Sequence, residues 1–596
     1  MHRRWFLNRT NAEFISYLSR SASISPIFSQ ILISRGIKTA AETQDFLNPG
    51  IAGLSDPFDL QGVKEAVERI KVARKQGERV FIHGDYDADG LTATAIMVSA
   101  LRTAGLDVHY FIPHRMTHGY GFNIVGVETA KKAGAKLIIT VDCGIGSFEA
   151  AAHAQSLGID LIITDHHEPT RNEGARDKGQ GAEDSGDGQK LVTHYASRIT
   201  DFMIPHAVAV INPKCSSPEP SRFTVLCGSG IAFKLAQAMA MDNNIAFFQD
   251  DLLPLLDLAA LGTVADVVPL IGENRIIVKL AMQHIQDGNR LGIRALKQAA
   301  GLDNKQLKAG LLAFTLVPRI NAAGRVGDAQ DVVKLFLSDS EQEAYDLAAW
   351  LDRTNSERRK IEEIVYQDAL SELKGIDAAA VIILAKEGWH PGVLGIVASK
   401  IAESFNLPAF IFSIESGIAK GSGRSIPAFD ICAGLSECRD LLIAFGGHKQ
   451  AAGVTLRAED LPALQQRLRQ IIQRDVSRED LIRTLEIHAS VLLNQLDTQL
   501  MCELELLEPF GYGNPEPLLG ARELEMMYPK VLKDRHLKMK LRKGASYLDA
   551  IGWDMGHLLE DLSHAAIFDA VFTPSYNDWN GNRNIQLVLK GLRPSA

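Results

Sequence analysis

The sequence is poor in cysteine. Its six cysteines in 596 residues form no Cys-x-x-Cys pair, which argues against a zinc knuckle or a disulfide framework and fits a reducing, cytoplasmic setting. It also lacks a clean apolar run long enough to span a membrane. The most apolar stretch, 252–271, carries Asp257 and Asp266 and reads as a core helix and loop. The opening MHRRWFLNRTNAEF is basic but has no apolar core, so no signal peptide is expected. Excess positive charge is missing too. The formal net charge is −9, so any nucleic-acid role must rest on local patches or on metals rather than on bulk attraction. No short-period repeat is visible. What remains, 46% hydrophobic and 23% charged, is ordinary globular composition with core enough for about three or four domains.

The chain is organised around residues 79–90, RVFIHGDYDADG. The apolar run Val80, Phe81, Ile82 stops at His83. Asp85, Asp87 and Asp89 follow at alternate positions, closed by Gly90 and a helical pattern. This predicts a buried strand, a tight turn and a helix start, the arrangement whose open end faces a ligand crevice in α/β folds. Three carboxylates so close repel one another, and a cation removes that repulsion. The purely structural alternative is an acidic turn with Asp89 capping the helix.

Further apolar runs at 108–113, 137–142, 160–164 and 208–212 alternate with helical segments, which predicts a mostly parallel, doubly wound sheet. Polar clusters again follow them: Asp142 in IITVDCGIG, and Asp165, His166 and His167 in LIITDHHEP. In LAALGTVADVVPL, Asp266 stands nearly alone among apolar residues, a costly position unless it is paired or coordinated. Residues 170–189 are almost devoid of apolar side chains and read as a mobile surface insertion. LVPRINAAGRVGD reads as a loop carrying Arg319 and Arg325. The expected domains are a helical preface at 1–60, a catalytic α/β domain at 61–339 and a linker helix at 340–375. A second α/β module at 376–460 and a β domain at 461–596 complete the chain, with Asn580-Gly581 as a hairpin turn.

The candidate ligands are His83, Asp87, Asp89, Asp142, His166 and Asp266, with Asp85, Asp165 and His167 beside them. Carboxylates outnumber imidazoles and no thiolate fits, which favours Mn²⁺ or Mg²⁺ over a structural zinc. Six ligands suit two ions if one carboxylate bridges, and such a pair activates water for attack on phosphorus.

HGDYDADG, TVDCGIG, TDHHEP and the Asp266 segment together resemble the four motifs of the DHH phosphoesterase superfamily. GWHPGVLGIVASKIAE, GSGRS and GGHKQAAG resemble its associated second domain, DHHA1. With LLEPFGYGNPEP and the C-terminal β segment added, the chain is similar to the bacterial single-strand-specific 5′→3′ exonuclease branch over about residues 30–596. The resemblance implies a parallel-sheet DHH domain, a long helix, an α/β DHHA1 domain and a C-terminal β-barrel of the OB type. It implies that His83, Asp87 and Asp142 hold one metal, and that Asp89, Asp142, His166 and Asp266 hold the other. Asp85 and Asp165 would orient the ligands, and His167 would contact the scissile phosphate. Arg115, Ser422, Arg424 and His448, with Arg319 and Arg325, would bind the substrate and its 5′ phosphate. In the β domain Tyr547, Trp553, Tyr576 and Trp579, with Lys533, Arg535, Lys538, Lys540 and Arg583, are available to a single strand. The implied substrate is single-stranded DNA and the implied setting recombination and repair, with single-strand-binding protein and a recombination helicase as partners by analogy. The rivals are a phosphodiesterase of short oligonucleotides or dinucleotides, and a non-catalytic replication scaffold.

Overall fold

The computed structural model describes residues 4–114, 119, 121–171, 202–215, 221–374, 380–562, 564–579 and 582–595. The chain divides into two compact units. One comprises 37–354 with 504–516; the other comprises 1–36, 355–503 and 517–596.

The first unit is built on a five-stranded sheet, all parallel, ordered Asp107–Phe111, Arg79–His83, Leu137–Val141, Asp160–Thr164, Ala209–Ile211. All five residues of Leu137–Val141 are buried, as a strand covered on both faces requires. Helices Val63–Gln76, Ala88–Thr103 and Gly228–Met241 pack on one face through Ile70, Ile96 and Ile231. Helices Ile124–Lys132 and Phe148–Ser156 cover the other through Val127, Ala130 and Ala151. Numbered along the chain, the strand order is 2-1-3-4-5. The connection reverses direction between Arg79–His83 and Leu137–Val141, where open parallel sheets form their ligand crevice.

Among the described residues the second unit holds two large sheets and a two-stranded one. A five-stranded mixed sheet runs Leu442–His448, Ala451–Arg457, Ile418–Arg424, Ala409–Glu415, Ile382–Glu387. A barrel is formed by Leu519–Leu532, His536–Lys543, Ser546–Gly552, Asn582–Pro594 and Phe568–Trp579, and pairing of the last strand with the first closes it. Trp579 lies opposite Asn582 in an antiparallel pair; the expected Asn580-Gly581 turn between them is outside the described residues.

Four expectations are corrected. The preface is not all helical: Arg4–Leu7 is a strand paired in parallel with Thr484–Ile487. Its helices Ala12–Ala22 and Pro26–Ser34 belong to the second unit, and Ala40–Leu47 to the first. LVPRINAAGRVGD is not a loop but helix Val317–Val326, continuing a π turn at Leu312–Leu316; Pro318 sits in the first turn, where its missing N–H costs nothing. The β domain does not begin at 461, because helix Leu461–Asp475 buries Leu464, Leu468 and Ile472 against Phe410, Phe412 and Val454 of the mixed sheet. Finally, 504–516 belongs to the first unit. Arg275 donates to the Leu506 and Leu507 carbonyls at 3.0 and 2.8 Å and ties the segment there. The linker is a single 32-residue helix, Glu341–Glu372, and residues 354 and 355 fall in different units. Among the described residues no helix is long and apolar enough to cross a membrane. The polar insertion beyond residue 171 lies outside the described residues.

Candidate metal centre

The turn after Arg79–His83 is set by its own carboxylates. Asp87, not Asp89, caps helix Ala88–Thr103, accepting from the N–H groups of Asp89 and Gly90 at 3.0 and 3.1 Å. Asp89 turns inward, where the Gly228 and Ser229 amides at the start of helix Gly228–Met241 donate to it at 2.6 and 2.8 Å. From the other side Asn321 accepts the Ala88 N–H at 2.8 Å. Helix Val317–Val326 comes so close that a Cβ on Gly324 would overlap the Tyr86 carbonyl.

Asp142 ends the neighbouring strand with φ 61, a left-handed conformation that Asp tolerates better than most residues. Gly228 presses on it; a Cβ there would lie 2.5 Å from its carboxylate. Asp142 is 2% exposed and its Oδ1 has no hydrogen-bond donor. The His166 Nε2 stands 3.1 Å from that oxygen without hydrogen-bond alignment. His166 also lies 3.9 Å from Asp89 and 3.7 Å from Asp266. Asp266 follows helix Leu256–Ala265 as its C-cap.

Three groups of ligand atoms each gather within 4.8 Å: Asp85, Asp87 and Asp142; Asp89, His166 and Asp266; and Asp142, His166 and His167. Asp142 and His166 are each shared by two groups. His83 belongs to none of them. Its ring is buried beside Phe111 and Phe122, with centroids 5.5 and 5.1 Å away, and Nε2 has no hydrogen-bond partner.

The electrostatics ask for a cation. Burial, and then the charges of Asp89, Asp87 and Asp85, push Asp142 well above the usual carboxylate range. Burial and the Asp87 charge do the same to Asp85. Asp266 is raised to about 8 by burial and by Asp89 and Asp87. Burial lowers His166 to about 4 and His83 to about 3, leaving neutral rings with free lone pairs. Burial also raises the Cys143 and Cys227 thiols well above their ordinary value, so neither offers a thiolate. Carboxylate oxygens, neutral imidazoles and an unpartnered buried oxygen therefore fit Mn²⁺ or Mg²⁺.

Beside the cage, Asp165 is fully engaged. It accepts from the amides of Ile145, His166 and His167 at 2.8, 2.7 and 3.0 Å and holds His167 Nδ1 at 2.7 Å. Burial opposes its ionisation, but the hydrogen bonds and charge of His167, with the amides, bring it down to about 2. His167 answers oppositely: burial opposes its charge, yet Asp165, Asp85 and Asp266 lift it to about 9. Its carbonyl accepts from Asn212, which is 1% exposed.

The expected substrate residues fall in several places. Arg115 lies outside the described residues. Arg319 is held by Asp352 at 2.8 Å and by the Thr315 carbonyl at 2.7 Å, a structural ion pair; Arg325 is on the same helix. Ser422, Arg424 and His448 are in the second unit. There Arg424 donates to Ser422 Oγ at 2.8 Å, and Gly395 of helix Leu394–Phe405 packs against both. Arg424 and His448 face Ala451 from opposite sides, which puts them in one row of the sheet. Gly228, Ser229 and Asn212 were not singled out by the sequence, and Asn321 was read only as part of a loop. The CGSG opening of helix Gly228–Met241 was the one available signal.

A parallel sheet with acidic and imidazole ligands at its switch point defines a phosphoesterase of the DHH class, and family models agree. Residues 79–263 match the DHH family, N-terminal domain, 377–474 the DHHA1 domain and 487–591 the RecJ OB domain. The single-stranded-DNA-specific exonuclease RecJ of Bacillus subtilis is 38% identical, covering 98% of this chain and 70% of that protein. Crystal structures of RecJ from Thermus thermophilus cover 100% of this chain. The Mn²⁺ complex has TM-score 0.82 and 31% identity over 80% of that chain; the Mg²⁺ complex has 0.76 and 30% over 79%. The chain belongs to the RecJ family.

Proposed function

We propose that this chain is a single-stranded-DNA-specific 5′→3′ exonuclease that releases 5′-mononucleotides in recombination and repair. The observation that carries the reading is the buried cage at the sheet's switch point, with a partnerless oxygen on Asp142. Asp89, His166 and Asp266 would hold one divalent ion and Asp87 and Asp142 a second, with Asp142 shared; Asp85, expected as an orienting group, gathers with the latter pair as a ligand, and His83, expected as a ligand, is a further candidate there. Bound there, the ions would polarise water and neutralise charge at phosphorus. The residues do the rest. Asp165 fixes His167 through Nδ1, and the Nε2 of that ring would donate to the phosphate or the departing oxygen. A water oxygen bonds to phosphorus and the P–O3′ bond breaks. The 3′ oxygen takes a proton, and the remaining strand carries a new 5′ phosphate.

Ser422 and Arg424, beside the start of helix Leu394–Phe405, suit a 5′ phosphate, with His448 in the same row. The barrel would grip the following strand. Its His536–Lys543 strand alternates buried Leu537, Met539 and Leu541 with more exposed Lys538, Lys540 and Arg542. Tyr547 is exposed beside Lys540, and Arg583 covers Tyr576. Trp553 is half exposed against His536. We also propose that the protein acts in the cytoplasm and meets single-strand-binding protein and a recombination helicase, as the family likeness suggests. The test is nucleotide release from 5′-phosphorylated single-stranded DNA with Mn²⁺. Stepwise release from the 5′ end is expected, with duplex spared; no release, or cutting of dinucleotides alone, refutes the reading.

A further inference from the structure

The LLEPFGYGNPEP segment is left without a task by the cage chemistry, yet it is firmly held. Asn514, 1% exposed, donates from Nδ2 to the Leu507 and Pro509 carbonyls at 2.9 and 2.8 Å and so closes the turn. Leu270 donates its N–H to the Tyr512 carbonyl at 2.7 Å. A Cβ on Gly511 would lie 2.7 Å from Leu270 Cδ1, and one on Gly513 2.9 Å from Pro269 Cβ; with its φ of 73, Gly513 requires glycine. The turn thus docks tightly on residues 269–271. What it presents is the Tyr512 ring, which is 65% exposed.

Leu270 follows Asp266 by four residues, so the docking point lies within about 14 Å of that cage residue. Two apolar side chains belong to the same stretch. Val267 is 65% exposed, and its φ of 56 is an outlier for a β-branched residue; Ile271 is 42% exposed. A buried asparagine, a buried arginine and two close-packed glycines are spent on holding a solvent-facing aromatic beside a phosphodiester-cutting centre. The core gains nothing from that ring.

We propose that Tyr512 is a stacking platform for one base of the single strand near its scissile end, with Val267 and Ile271 as apolar neighbours. The proposal rests on the nuclease reading above. Every base has a π-face, so the platform accepts any sequence, while a paired base inside a duplex keeps its faces covered. Tyr512 therefore contributes to the preference for single strands without reading sequence.

The test is equilibrium binding of labelled 5′-phosphorylated oligothymidylate, with Ca²⁺ in place of Mn²⁺ so that the cage stays filled while turnover is suppressed. A second set of strands each lacks one base, moved stepwise from the 5′ end. Tyr512→Ala is expected to weaken binding about tenfold, within the range for loss of one stacked base, and Tyr512→Trp to preserve it. In the unmodified protein one abasic position should cost a similar factor, and that position should become silent in Tyr512→Ala. Equal binding by wild type and Tyr512→Ala overturns the proposal, as does an abasic penalty that the variant leaves unchanged. Absence of nucleotide release by the wild type with Mn²⁺ would instead end the nuclease reading and leave this binding result standing on its own.

Discussion

Asp142 combines a left-handed backbone, near-complete burial and an oxygen without a donor. Substituting alanine would add backbone strain at positive φ, whereas asparagine tolerates that region. Asp142→Asn is therefore the cleaner probe. Without metal it should melt higher than wild type at neutral pH, because the cost of burying a carboxylate whose ionisation is opposed by burial and by Asp89, Asp87 and Asp85 is gone. Mn²⁺ should reverse the order, and turnover should fall more than about 100-fold, beyond the usual cost of an outer-shell change. Thermal melts with and without Mn²⁺ check the sign. At the neighbouring position, Asp165→Asn should cut turnover by about 10- to 100-fold through misorientation of His167, with little change in KM. At this scale the sequence was only partly informative. It could name Asp87 and Asp89 but not say which carboxylate turns inward and which caps the helix. Nor could it tell a free Arg319 from one neutralised by Asp352, a partner on another helix.

Elements place those residues. The apolar runs that end at His83, Val141 and Thr164 were legible because a strand covered on both faces is apolar throughout, and the polar residue after it marks the open edge. The braces were not legible. The amides of Gly228 and Ser229 act through backbone alone, and the role of helix Val317–Val326 depends on packing against a turn more than two hundred residues earlier. Reading that segment as a loop followed its Pro and Gly content. In fact Pro318 opens the helix and Gly324 permits its contact with Tyr86. Gly324→Ala should push the Asp85–Asp87 turn aside, costing about 1–3 kcal/mol of stability and weakening Mn²⁺ binding. Calorimetric unfolding and a Mn²⁺ titration measure the two effects. Asn321→Ala removes the acceptor for the buried Ala88 N–H and should act in the same direction.

For the whole molecule, a net charge of −9 means that a DNA strand is not held by bulk attraction. Binding must come from the cations in the cage and from local basic groups such as Lys538 and Lys540 on the barrel. Affinity should fall as salt rises. Lys540→Ala should lower the magnitude of the log–log slope by about 0.7 if that lysine meets one phosphate of a single strand. The order of domains was readable from motif spacing, but their borders were not. Helix Leu461–Asp475 joins the mixed sheet, and 504–516 returns to the catalytic unit, because tertiary burial rather than local pattern decides both.

The most direct measurement is anomalous scattering at the manganese edge from crystals grown with Mn²⁺. Two neighbouring peaks are expected, one among Asp89, His166 and Asp266 and the other among Asp85, Asp87 and Asp142, with Asp142 reaching both. A map with no peak among these side chains would contradict the metal cage and the chemistry built on it.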